Sequence, residues 1–126
     1  MSLTPHGPGF SFLDSIEIES NRARAKKWLD PASPFFADHF PGRPLMPGVL
    51  LIECAAQAAG ALWKQEQAFL ANVQQFRFLK PVLPGQTVEV EVALEKDFGA
   101  LAQFDVILSV AQEAVAQGKL TMSRNA

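Results

Sequence analysis

The chain has 126 residues, enough for one domain with a real core, and its 48% hydrophobic and 19% charged content is ordinary for a soluble globular protein. A net charge of −2 without any like-charge tail gives no electrostatic case for nucleic acid, and a single cysteine excludes an internal disulfide framework. The start, MSLTPHGPGF, has no signal-peptide pattern, and the most apolar run (49–63) is broken by Glu53 and Gln57 and is too short to span a bilayer, so one cytoplasmic domain over 1–126 is expected.

In chain order, FSFLDSIEIE (10–19) ends in an alternation that suits a strand. In NRARAKKWL (21–29) a strand would set Arg22, Arg24, Lys26 and Trp28 on one face and Ala23, Ala25 and Leu29 on the other. DPASP (30–34) is a loop signal. Pro41, Pro44 and Pro47 then forbid a helix until Pro47, which suits a first turn. From Gly48 to about Gln67 the residues favour helix, about 30 Å long at 1.5 Å per residue. That helix is apolar nearly all round, so it must be buried on most faces.

The remainder reads as strand. VQQFRFL (73–79) alternates weakly, and KPVLPGQ (80–86) turns through Pro84-Gly85, a pair suited to a type II turn. TVEVEVALE (87–95) points Val88, Val90, Val92 and Leu94 one way and its glutamates the other. LAQFDVILSV (101–110) repeats the pattern, AVAQGKLTMS (114–123) supplies a last strand, and the short links predict an antiparallel meander. One apolar helix with five or six one-sided strands predicts an α+β fold, an antiparallel sheet wrapped around a long central buried helix. One sheet of this length cannot cover every face of that helix, which predicts at least a dimer.

A buried carboxylate in the second turn must be neutral, hydrogen-bonded or used. Gln57 lies four residues beyond Glu53 on the same face, where it can hold the carboxylate; a pair that merely fixes packing explains this equally well. His39, flanked by Phe35, Phe36 and Phe40 in a Pro-Gly-rich segment, adds a candidate general base. Gly48 opens the helix, where free N–H groups and the dipole favour negative charge. Base, acid and oxyanion site are then all present. Cys54 reads as a small buried hydrophobe, and His6 as structural.

HFPGRPLMPGVLLIECAAQAAG (39–60) resembles the signature of the β-hydroxyacyl-(acyl carrier protein) dehydratases of hotdog fold, whose pattern H-F-P-G-x-P-x-x-P-G-V-x-x-x-E-x-x-A-Q it matches over 39–57. PHGPGFSFLDSI (5–16) and FRFLKPVLPGQ (76–86) are similar to further family segments, so most of the chain is covered. The resemblance implies a hotdog fold and dehydration of 3-hydroxyacyl thioesters. His39 would be the catalytic base, and Glu53 the acid, reaching the histidine of a neighbouring subunit. Gly48 would offer its N–H to the thioester carbonyl, the Leu45 carbonyl would hold the imidazole tautomer, and Gln57 would orient Glu53. Pro47, Val49 and Phe40 would line the substrate site, and Phe36, Phe76 and Phe78 an acyl tunnel. No metal or other cofactor is implied: the substrate arrives on the phosphopantetheine of acyl carrier protein. The assembly would be a homodimer, with a trimer of dimers left open.

Asp38 stands where the family usually has glycine, and the chain has no tyrosine. Arg43, Arg77 and Lys80, with Arg22, Arg24, Lys26 and Lys27, form either a basic rim for an acidic carrier or simply solvated strand edges. Two further readings stay open: a hotdog acyl thioesterase, which leaves His39 unexplained, and a non-catalytic acyl- or carrier-binding subunit.

Overall fold

The computed structural model describes residues 13–33, 46–64 and 68–124. Two strands, β1 (Ser15–Glu19) and β2 (Arg22–Trp28), precede the helix α1 (Gly48–Trp63). Four strands follow: β3 (Ala68–Phe78), β4 (Thr87–Asp97), β5 (Leu101–Val110) and β6 (Glu113–Arg124). They form one sheet in the order β1-β2-β4-β5-β6-β3, every neighbouring pair antiparallel. This is the hotdog arrangement, with β4, β5 and β6 as the expected meander and α1 laid across the inner face.

Alternation decides which face is inner. On β2, Ala23 and Ala25 are buried while Arg22, Arg24 and Lys26 are exposed, as the spacing predicts. Val92 lies opposite Ala23 and Val90 opposite Ala25; β5 continues the layer with Val106 beside Val92 and Leu108 beside Val90. Phe104 pairs with Leu120 of β6, and all of these side chains are almost fully buried. α1 packs chiefly against β4 and β2. Its buried face of Cys54, Ala55, Ala58 and Ala59 consists of small side chains, which lets the backbone come close to that apolar layer.

Turns follow their local chemistry. Leu83 to Gln86 closes with the Gln86 N–H on the Leu83 carbonyl, and Gly85 has φ 85°, the left-handed value a type II turn requires. Reciprocal bonds between Leu29 and residues 85 and 86 tie this turn to the end of β2. Ala111 and Gln112, at φ 50° and 67°, make the two-residue β5–β6 turn, a backbone that matches strand twist without the usual Asn-Gly.

Three expected boundaries move. α1 stops at Trp63 rather than near Gln67, because Lys64 takes the left-handed conformation and turns its N–H back to the Ala61 carbonyl. β3 begins at Ala68 rather than residue 73, so residues 68–72 are strand as well. β1 begins at Ser15; the earlier part of the expected strand, 10–12, lies outside the described residues. Among the described residues no helix is long and apolar enough to cross a membrane.

Candidate active site

Pro47 occupies the N-cap position of α1 with extended backbone, and no side-chain hydrogen bond caps the first turn. The helix carries no acidic residue in that turn, so its positive end is not neutralised locally. Three backbone bonds hold this region. The Met46 N–H donates to the Val82 carbonyl at 2.7 Å, and the N–H groups of Leu79 and Lys80 both reach the Val115 carbonyl. Met46 and Val82 are themselves buried. The start of α1, the end of β3 and the segment that follows it are thereby held together.

Glu53 comes one and a half turns into the helix and is half-buried. Gln57, one turn further and almost wholly buried, donates its side-chain amide to the Glu53 carboxylate at 3.3 Å. The spacing expected from sequence is therefore the geometry found. The pair opens onto a cavity of about 210 Å³ lined by Ala56, Gly60, Ala68, Phe69, Leu70 and Met122 as well. A carboxylate held by an amide at one edge of a mostly apolar cleft can give or take a proton beside an apolar ligand.

Gly48 and Val49 lie at the helix mouth, Val49 70% exposed. Phe78 sits directly over Gly48, and Phe76 lies beside Phe78 at a ring separation of 5.5 Å. Arg77 is exposed on β3, opposite Gln117. Lys80 forms an ion pair with Glu113. His39, Phe36, Phe40, Leu45 and Arg43 lie outside the described residues, as do His6 and Asp38.

Three other cations of the expected rim are matched by carboxylates. Arg22 and Arg24 lie 3.1 and 3.3 Å from Glu91, and Lys27 lies 3.7 Å from Asp14. Such exposed pairs add little stability, but they reduce the charge available to a distant partner. Cys54 faces the core, and burial pushes its thiol up to about 12, so it stays protonated and inert. Among the described residues no group of three or more His, Cys, Asp and Glu side chains could hold a metal ion.

Sequence reading overlooked the wall of the cavity. Ala68, Phe69 and Leu70 fall between the expected helix and the expected strand from residue 73, and Met122 lies on the expected last strand with no role at a site. The available signal lay on the helix, where Ala56 and Gly60 follow Glu53 at three and seven residues and leave room beside it.

A family model described as ApeI-like, for the ApeI dehydratase, matches residues 15–119. The 3-hydroxyacyl-[acyl-carrier-protein] dehydratase FabZ of Herpetosiphon aurantiacus is 37% identical, the match spanning 95% of this chain and 91% of the relative. The FabZ of Rhizobium rhizogenes is 40% identical over 95% of this chain and 82% of its own. Among solved structures, the dehydratase heterocomplex ApeI:P from Xenorhabdus doucetiae superposes with a TM-score of 0.83 at 16% identity, covering 98% of this chain and 89% of that one. The uncharacterized protein PH1136 from Pyrococcus horikoshii gives 0.76 at 19%, covering 90% and 84%. At such identities the structural likeness speaks for the fold.

Proposed function

The chain belongs to the ApeI-like dehydratase family, and from that premise we propose that it removes water from 3-hydroxyacyl thioesters carried on acyl carrier protein, giving trans-2-enoyl thioesters. The observation that carries the reading is the Glu53 carboxylate, oriented by Gln57 at the edge of an apolar cavity on a helix whose first turn has no side-chain cap.

In this reading the thioester carbonyl accepts a hydrogen bond from Gly48 N–H, which makes the α-proton more acidic. His39 takes that proton. Glu53 delivers one to the departing 3-hydroxyl, directly or through a water it holds. The C–O bond breaks as the C2–C3 double bond forms, and the water released balances the step. Activation comes from the substrate's own thioester, and the scheme calls on no metal or redox cofactor.

The active unit is a homodimer, with Glu53 of one copy meeting His39 of the other. Support for this comes from β3, an edge strand that leaves Phe69, Leu70 and Val73 exposed. The carrier docks near Arg77 in a cytoplasmic setting. Incubation with crotonyl and 3-hydroxyacyl thioesters, with free thiol followed in parallel, tests the scheme: hydration supports it, while thiol release favours a thioesterase and no reaction a binding subunit. His39→Ala and Glu53→Gln should each slow crotonyl-thioester hydration at least about a hundredfold. A near-normal rate in either variant removes that residue from the scheme.

A further inference from the structure

Two glycines of this fold are each pressed by an aromatic ring from β3. A methyl group built on Gly48 would lie 2.8 and 2.9 Å from Cζ and Cε1 of Phe78, closer than carbon atoms approach. One built on Gly118 of β6 would lie 2.5 Å from Cδ2 and 2.7 Å from Cα of Phe76. The rings of Phe76 and Phe78 touch each other at 5.5 Å. A continuous stack therefore runs from β6 through Gly118, Phe76 and Phe78 to the first residue of α1. β3 shifts register between Gln74 and Arg77, and Gln75 has φ 54°, so the strand is bent just before it delivers the two rings.

Phe78 is nonetheless half exposed. A ring whose purpose was core packing would turn its area inward, as Phe104 does. Here one edge is held against the helix mouth while much of the ring remains uncovered. An aromatic ring packed on the Cα side of Gly48 would displace water from around that residue, and a hydrogen bond from its N–H would gain strength in the drier surroundings.

We infer that Phe78 is a positioning residue of the dehydration reaction: seated on Gly48, its ring keeps water from the helix N-terminus and so strengthens the hydrogen bond from Gly48 N–H to the thioester carbonyl. The inference rests on the dehydratase reading above and deepens it, because it gives β3 a part in the chemistry through the helix. Phe76, pinned by Gly118, sets the height at which Phe78 meets the helix. The absence of a side chain at residue 48 is then required for the ring's seat as well as for access of the substrate.

The test is a double-mutant cycle read by steady-state hydration of crotonyl-pantetheine, with melting temperature followed in parallel. Phe78→Ala should lower kcat about tenfold, a fraction of the hundredfold or more that loss of a whole oxyanion donor costs. KM should change little, and Phe78→Tyr, which keeps the ring, should recover most of the rate. Gly48→Ala should lower kcat strongly in the wild-type background and much less once Phe78 is alanine, because the clash has gone. Unchanged kcat in Phe78→Ala overturns the inference, as does a Gly48→Ala effect of equal size in both backgrounds. A loss of rate that tracks only the fall in melting temperature, with Tyr no better than Ala, overturns it too. A wild type inactive on crotonyl and 3-hydroxybutyryl thioesters overturns the dehydratase reading itself, and this inference with it.

Discussion

β3 and β4 are both eleven residues long and both belong to one sheet, yet they are built to opposite rules. β4 lies between β2 and β5, buries Val88, Val90 and Val92 to 1% exposure or less, and is the main seat of the helix. β3 is the outermost strand beyond β6, is bulged twice, and leaves side chains on both of its faces uncovered. One strand is stabilised by what this chain supplies. The other presents apolar groups that pack fully only against something further, and it also borders the Glu53 cavity. The core and the border of the Glu53 cavity are thus divided between two strands of the same length.

Substitutions on the two strands test that division. The largest effect is expected from Val92→Asp, which places an unpaired charge in the driest part of β4. A cost of about 3–5 kcal/mol is a large share of a domain's stability, so the urea midpoint should collapse or soluble protein be lost. Val73→Asp, at the middle of β3, should leave the circular dichroism of the fold intact. By light scattering the variant should be a single copy, with hydration activity down about a hundredfold if, as proposed, the reaction needs His39 and Glu53 from two copies. A Val73→Asp variant that stays dimeric and active would sink the assignment of β3 as the interface.

The smallest effect concerns Asp97, the last residue of β4. It accepts the Gly99 N–H at 2.8 Å and the Trp63 indole N–H at 3.1 Å, and those two bonds hold its carboxyl below the usual value. A carboxyl lowered in the folded state contributes stability that is present above its unfolded pKa, about 4, and is lost as pH falls. Asp97→Asn should therefore flatten the fall of Tm below about pH 4, by no more than about 2–4 °C. A Tm profile identical to the wild type's would show that the contact carries no acid sensitivity.

The same contrast explains what was legible in the sequence. Val88, Val90, Val92, Phe104, Val106 and Leu108 alternate because one face meets the helix and the other meets water, so β4 and β5 could be read directly. AFLANVQQ carries no such period, since a strand exposed on both faces and broken by bulges imposes none, and its first five residues gave no strand signal. The helix end was hidden in a similar way. Lys64 makes the left-handed turn without glycine, inside a run of good helix formers. Glu53 and Gln57 were legible together because a four-residue spacing forces them onto one face. The Phe78–Gly48 contact joins residues thirty positions apart across a strand order, β6 next to β3, that no local pattern encodes.

The buried Cys54 has a practical consequence. It is the only sulfhydryl in 126 residues, and burial in the core keeps it from forming a thiolate at neutral pH. The native protein should therefore be silent to maleimide and iodoacetamide reagents until it unfolds. Any cysteine placed by mutation on the surface becomes a unique attachment point, with no background substitution needed. A fluorophore or spin label at the β4–β5 turn, for example at the exposed Phe98, would be the sole label on the protein and would leave the Glu53 cavity untouched.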